Sequence, residues 1–241
     1  MPALEAWGTS DVGLVRQNNE DSFFLDEELG LAIVADGMGG ASCGEVASSL
    51  TIETVAGYVR HPPIPWPPAQ LLEEAIQEAN RCVLERASSD QDCSGMGSTI
   101  VAALWRLPEV VIANVGDSRA YLWRAGLLTQ LSYDQTLVNE LRVRFGLSEE
   151  EVSNFPHRNV LTMAVGTSAD LAVRVHELRL EPGDQILLCS DGLSGPVPHD
   201  TLAAALAGEP PVEALVRQLI EEAKARGAPD NVTAVLLRYR E

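Results

Sequence analysis

Short apolar runs alternate with helix-spaced stripes along this chain. Runs rich in Val, Ile, Leu and Ala at Leu31–Ala35, Thr99–Trp105, Val110–Val115, Ala120–Trp123, Gln185–Cys189 and Val232–Leu237 predict strands. Leu72, Ile76, Ala79 and Val83 share one face of a predicted helix, and Val212, Leu215, Val216, Leu219, Ile220 and Ala223 mark another. The stretch His61–Pro68 is too proline-rich to continue either pattern and reads as a loop between two helical segments. Strands from Thr99 to about Leu131 follow one another through brief turns, which predicts antiparallel meanders rather than alternating βα units. The helices fall in separate blocks, so the expected class is α+β, with sheets packed together and helices outside. From Asp134 to Gly166 the pattern turns mixed and polar, as in a surface excursion. Within it, Ser148 followed by Glu151 has the spacing of a capping box for a short helix.

Composition narrows this picture. At 241 residues with 46% apolar content, the chain suits a single domain spanning 1–241. No apolar run approaches the roughly 18 residues needed to cross a bilayer. Met1-Pro2-Ala3-Leu4-Glu5 lacks a basic segment and a following apolar stretch, so no secretory signal is expected. Cys43, Cys82, Cys93 and Cys189 form no CxxC pair and no disulfide-dense pattern, which points to a reducing, cytoplasmic setting. The net charge of −18 and the lack of any Lys/Arg-rich run argue against nucleic acid as a partner.

Most of the excess acid serves solubility, but four aspartates share an unusual setting. Asp36 ends the run Leu31–Ala35 and precedes Gly37-Met38-Gly39-Gly40; Asp117 follows Val110–Gly116; Asp191 follows Ile186–Ser190; Asp230 precedes the final run. Asp-Gly is a common turn signal, and each site alone reads first as a turn. Strands that deliver several carboxylates to one locus, however, would create a cluster that repels itself unless cations occupy it. None of His61, His157, His176 and His199 lies in these motifs, and no cysteine stands at zinc spacing, so oxygen-only ligation favours Mg²⁺ or Mn²⁺. Upstream, Arg16-Gln17-Asn18-Asn19-Glu20-Asp21 reads by default as a solvated turn. Its functional reading gives Arg16 a planar fork for phosphate, with Glu20 and Asp21 orienting waters around the cations.

The ordered series Arg16 to Asp21, Asp36-Gly37-Met38-Gly39-Gly40, Gly44-Glu45, Gly95-Met96-Gly97-Ser98-Thr99, Gly116-Asp117-Ser118-Arg119, Arg158-Asn159-Val160-Leu161-Thr162, Ser190-Asp191-Gly192 and Asp230-Asn231 resembles the bacterial branch of the metal-dependent type-2C protein phosphatases, the PPM family. The resemblance runs from residue 13 to residue 233. It implies a four-layer α-β-β-α sandwich around two antiparallel sheets. It also implies that Asp36 bridges two Mn²⁺ or Mg²⁺ ions, with the Gly37 carbonyl on one and Asp191 and Asp230 on the other. Asp117 and Asp191 match positions that hold a third, weaker ion. Arg16 matches the phosphate-binding arginine, Glu20, Asp21 and Asn231 stand behind the ligands, and Asp134–Gly166 matches a flap that contributes to substrate choice.

The implied activity is hydrolysis of phosphoserine and phosphothreonine in protein substrates, opposing a serine/threonine kinase, by a monomer whose nucleophile is a hydroxide bridging the two metals. Three positions depart from the pattern: Ala41 where histidine is common, Asp134-Gln135-Thr136 in place of Asp-His-Ser, and Leu161-Thr162-Met163 in place of Leu-Thr-Arg. With Ala41, the leaving-group proton is expected from a metal-bound water near Asp117. Other phosphatase chemistries fit worse: Gly195 stands where Cys-x5-Arg after Cys189 would need arginine, Met38 breaks Asp-x-Asp, and Arg119 breaks Gly-Asp-x-His. The rival from another class is a pseudophosphatase, a phosphoprotein-binding scaffold without turnover. The departures motivate it and the intact aspartates oppose it.

Overall fold

The structure, a computed structural model, describes residues 3–39, 43–148, 155 and 160–240. The chain runs through β1 (Ala3–Asp11), β2 (Asp21–Asp26), β3 (Leu31–Met38), α1 (Cys43–Arg60) and α2 (Pro68–Ser89). It continues through β4 (Gly97–Ser98), β5 (Ile100–Arg106), β6 (Glu109–Val115), β7 (Arg119–Arg124), β8 (Leu127–Gln130) and α3 (Leu137–Phe145). Then come β9 (Arg174–Arg179), β10 (Gln185–Cys189), α4 (Asp191–Ser194), α5 (His199–Leu206), α6 (Val212–Ala225) and β11 (Val232–Arg240). One sheet has the order β1-β11-β10-β7-β8; the other has β2-β3-β5-β6-β9, with β4 pairing the end of β3. Every named pairing is antiparallel.

Side-chain parity explains the layers. Leu31, Ile33 and Ala35 of β3 pack toward α1 and α2, while Ala32 and Val34 turn inward against Ile186, Leu188, Val235 and Leu237 of the other sheet. On that sheet, Leu187, Ala234 and Leu236 face the opposite way, onto α4, α5 and α6. Both faces of each sheet are therefore covered. This is why these antiparallel strands read as nearly continuous apolar runs rather than alternating ones. Three apolar layers separate four structural ones, the expected α-β-β-α sandwich. The prolines of the His61–Pro68 loop end usefully, since Pro67 immediately precedes α2 and Pro68 occupies its first turn, where a missing N–H costs nothing.

The stretch from Thr99 to Leu131 is antiparallel as expected, in two hairpins, β5–β6 and β7–β8, that lie in different sheets. The chain crosses between them at Gly116, whose φ of +93° favours a residue without a Cβ. Strands β1, β2 and β9 escaped the apolar pattern. β9 is an edge strand with mostly exposed, charged residues, a composition that protects an open edge. The short helix expected after Ser148 falls outside the described residues. Among the described residues, no helix is long and apolar enough to cross a membrane.

The cysteines also depart from expectation. Cys43, at the start of α1, and Cys93, just before β4, are 50 residues apart and joined in a disulfide, leaving Cys82 and Cys189 free. Linear spacing could not reveal a pair that only the fold brings together. The bridge closes a long loop, so replacing both cysteines with serine should cost about 2–4 kcal/mol of stability. Thermal unfolding with and without reductant checks this: wild type should lose that increment in reductant, and the double variant should not respond.

Candidate active site

The inward parity of the strands changes character at one end of the sandwich. Apolar inward residues fill its middle, but the inward positions at this end are Asp21 of β2, Asp36 of β3, Thr99 before β5 and Asn114 of β6. From the other sheet come Ser118 before β7, Ser190 after β10 and Thr233 of β11. Hydrogen bonds stitch the two sheets together here. Ser190 Oγ donates to Asp21 Oδ2 at 2.7 Å and accepts from the Thr233 N–H at 3.1 Å. Thr99 Oγ1 shares a 2.7 Å bond with Ser118 Oγ and accepts from the Asp36 N–H at 3.0 Å. The Asp36 carbonyl accepts from the Thr99 N–H and from Ser98 Oγ. Sequence reasoning assigned no role to Thr99, Ser118, Ser190 or Thr233. The available signal was a polar residue at the inward position just where each apolar run stops.

Asp36, Asp117, Asp191 and Asp230 all line one cavity of about 550 Å³, together with Arg16, Glu20, Gly37 and Met163. The ordering of the Arg16 loop depends on Asn231, which is 5% exposed. Its Oδ1 accepts from the Glu20 N–H at 2.8 Å, and its Nδ2 donates to the Val12 and Asn18 carbonyls. The loop is thereby fixed beside Asp230, where Arg16 Nη2 donates to Asp230 Oδ2 at 2.8 Å. Gly37 sits where a Cβ would come within 1.9 Å of the Gly44 carbonyl oxygen, so the end of β3 after Asp36 packs tightly on the start of α1. Gly192 is equally constrained against the Asn231 carbonyl at 1.8 Å, which brings Asp191 and Asp230 together.

Crowding of carboxylates sets the electrostatics. Asp21 and Asp36 are register partners on neighbouring strands. Burial, then the charges of Asp21, Asp191, Asp117 and Asp230, hold Asp36 well above the usual carboxylate range. Burial likewise pushes Asp117 and Asp21 up to about 7, with Asp191 adding to both. Asp191 is raised by burial and by Asp230, although a hydrogen bond with Asp36 lowers it. Glu20 is raised by burial, and Arg16 is raised by its bond to Asp230. Asp21 Oδ1 and Asp191 Oδ1 are buried with no hydrogen-bond partner among the described residues. Unpaired buried oxygens of this kind fit ligation of hard cations. As the side chains stand, no three such groups among the described residues close on one point. Asp230 is held by Arg16 instead.

Within the stretch expected as a flap, the described residues include α3. Thr136 caps α3, accepting from the Asn139 N–H at 3.3 Å, and the helix buries little besides Val138. Two departures from the family pattern have structural work here. Gln135 is buried and bridges the Gly116 N–H to the Ala172 carbonyl, fixing the flap base beside Asp117. Met163 packs against the core under α1 and α2. Ala41 and the pair Arg158-Asn159 lie outside the described residues. His61, His176 and His199 are exposed, and His157 is not described. Cys189 is wholly buried, and its thiol is pushed up to about 12 by that burial, so it is core rather than nucleophile.

Comparison with known proteins shows the family. Residues 12–237 match the family described as Protein phosphatase 2C, and the chain belongs to that family. It is 35% identical over 239 residues to the serine/threonine phosphatase stp of Listeria innocua, covering 95% of this chain and 93% of that one. The crystal structure of the Mycobacterium tuberculosis serine/threonine phosphatase PstP/Ppp superposes with a TM-score of 0.91 at 36% identity over 99% of both chains. A second structure, the catalytic domain of PstP in complex with two manganese ions, gives a TM-score of 0.89 at 35% identity over the full length of both.

The raised carboxylates carry a pH signature. The folded chain retains protons on Asp21 and Asp117 that the unfolded chain releases between about pH 4 and 7. The stability they contribute is complete below the unfolded value and is lost as pH rises through about 7. In chelator, the unfolding midpoint should therefore fall as pH is raised from about 5 to about 8, and Mn²⁺ should flatten the dependence. A midpoint that climbs over that interval in chelator would contradict the clustering.

Proposed function

We propose that this chain is a metal-dependent protein serine/threonine phosphatase that hydrolyses phosphoserine and phosphothreonine monoesters. The observation that carries the reading is the convergence of Asp36, Asp117, Asp191 and Asp230 with Arg16 on the wall of one cavity. In this proposal Asp36, Asp191, Asp230 and the Gly37 carbonyl hold two Mn²⁺ or Mg²⁺ ions, and Asp117 with Asp191 offers a place for a third. When bound, such ions activate water at neutral pH and offset the charge of the phosphoryl group.

The chain's own residues do the rest. Arg16 releases Asp230 to the cations and turns its fork to two phosphoryl oxygens, a charge-assisted exchange that leaves neither group unpaired. Asn231 keeps the Arg16 loop in place during this exchange, since its three bonds reach Val12, Asn18 and Glu20 rather than Arg16 itself. Glu20 and Asp21 stand behind the ligands and orient waters around them. The remainder of the proposal is a phosphoprotein substrate made by a serine/threonine kinase, a cytoplasmic setting and a monomeric state. The kinase follows from the chemistry, since such monoesters must be made before they are cleaved. The Cys43–Cys93 bridge weighs against a strongly reducing setting. Mass spectrometry of alkylated protein from cells tests this point, with free thiols at both positions favouring the cytoplasm.

The scaffold alternative is weakened because Gln135 and Met163 have structural roles and no carboxylate is lost. Release of p-nitrophenol from p-nitrophenyl phosphate should require Mn²⁺ and fall by roughly 10²-fold or more in Asp36→Asn, given the usual worth of electrostatic transition-state groups. Phosphopeptide binding without any release would instead favour the scaffold. Arg16→Ala should raise KM and lower kcat together in the same assay, because the fork is asked to hold the phosphoryl group in both the ground state and the transition state.

A further inference from the structure

The 550 Å³ cavity does not end at the carboxylates. A groove of about 740 Å³ shares Asp117, Asp191 and Asp230 with it and continues past Tyr133, Pro196 and Pro229 to α3. A protein substrate must lay polypeptide to either side of its phosphorylated residue, and this groove adjoins the place where that residue would sit. Its charges are mostly spent. Arg119 binds Asp134 through both Nε and Nη2, with Nε donating at 3.0 and 3.1 Å to the two oxygens and Nη2 donating at 2.6 Å. Arg226 pairs with Glu222 at 2.7 Å. Arg142, exposed on α3, has no carboxylate partner among the described residues. Outside the aspartate cluster, it is the one lining charge left without an ion pair among the described residues.

We propose that this groove receives the segment flanking the phosphorylated residue and that Arg142 selects acidic side chains there. The inference rests on the phosphatase reading and names its substrate class. Two physical points support it. First, α3 is held at a fixed place relative to Asp117: Thr136 caps it, Asn139 Nδ2 donates to the Asp134 carbonyl at 2.7 Å, and Asp134 is clamped by Arg119. A fixed helix keeps the base of the Arg142 side chain at one place relative to Asp117, so only the side chain itself has to be ordered on binding. Second, the net charge of −18 creates a field that by itself favours basic peptides. An acidic preference must therefore come from a local cation, and Arg142 is placed to supply it.

Three phosphothreonine peptides test this, identical except for glutamate, alanine or lysine two residues to either side. Each is assayed with Mn²⁺ at low salt, where exposed charge pairs are least screened. Wild type should prefer the glutamate peptide over the lysine peptide by about threefold to fivefold in kcat/KM, the scale of an exposed ion pair. Arg142→Glu should invert that order, and Arg142→Gln, the backup should the reversal fold poorly, should abolish it. Ratios within one variant cancel any change in the shared chemistry. An absent preference in wild type, or one that survives both substitutions, overturns the inference. Failure of wild type to release phosphate from p-nitrophenyl phosphate would instead sink the phosphatase reading. The groove is then judged by fluorescence anisotropy of the same peptides, where equal affinities would overturn it.

Discussion

Several carboxylates are held at one end of the gap between two sheets, too close to ionise together, and much of the surrounding structure exists to keep them there. Asp21 and Asp36 face each other across neighbouring strands, Asp191 opens a helix, and Asp230 precedes the last strand. Separately, each would be an ordinary turn or strand residue. Together, in a partly dehydrated cavity, they hold protons at pH values where isolated aspartates have lost them. That arrangement costs stability unless protons or cations offset it. A fold that retains it has a use for the cations.

The sandwich tolerates the cluster because its layers are so completely apolar elsewhere. Leu31, Ile33, Leu187, Leu188 and Leu236 are fully buried, and burial of this kind contributes roughly 25 cal/mol per Å² of apolar surface. The polar end adds its own order. Bonds from Ser190 to Asp21 and from Thr99 to Ser118 cross between the sheets and fix their relative position where the chemistry needs it. Glycines at 37 and 192 let backbone segments approach where a side chain would collide with the Gly44 and Asn231 carbonyls. Packing and site geometry are therefore one problem here rather than two.

Two of the three departures from the family pattern fall within the stretch 134–166 beside this centre. Gln135 and Met163, which depart from the family pattern, have been absorbed into packing and hydrogen bonding. The groove adjoining α3 instead presents Arg142, a cation with no ion pair among the described residues.

Much was legible from the chain alone. Apolar runs located β3, β5, β6, β7, β10 and β11, because strands covered on both faces need continuous hydrophobicity, and periodic stripes located α2 and α6. The aspartates at the ends of those runs were visible as motifs, and their order supplied the family. What the sequence could not express was proximity. That β6 and β7 belong to different sheets, that Cys43 meets Cys93, and that Arg16 reaches Asp230 are facts about residues distant along the chain. The roles of Thr99, Ser118, Ser190 and Thr233 emerged only when strand parity was combined with the stacking of the two sheets. Local pattern records which face of an element is buried. Tertiary structure alone decides what that face is buried against, and a shared cation site depends on the second.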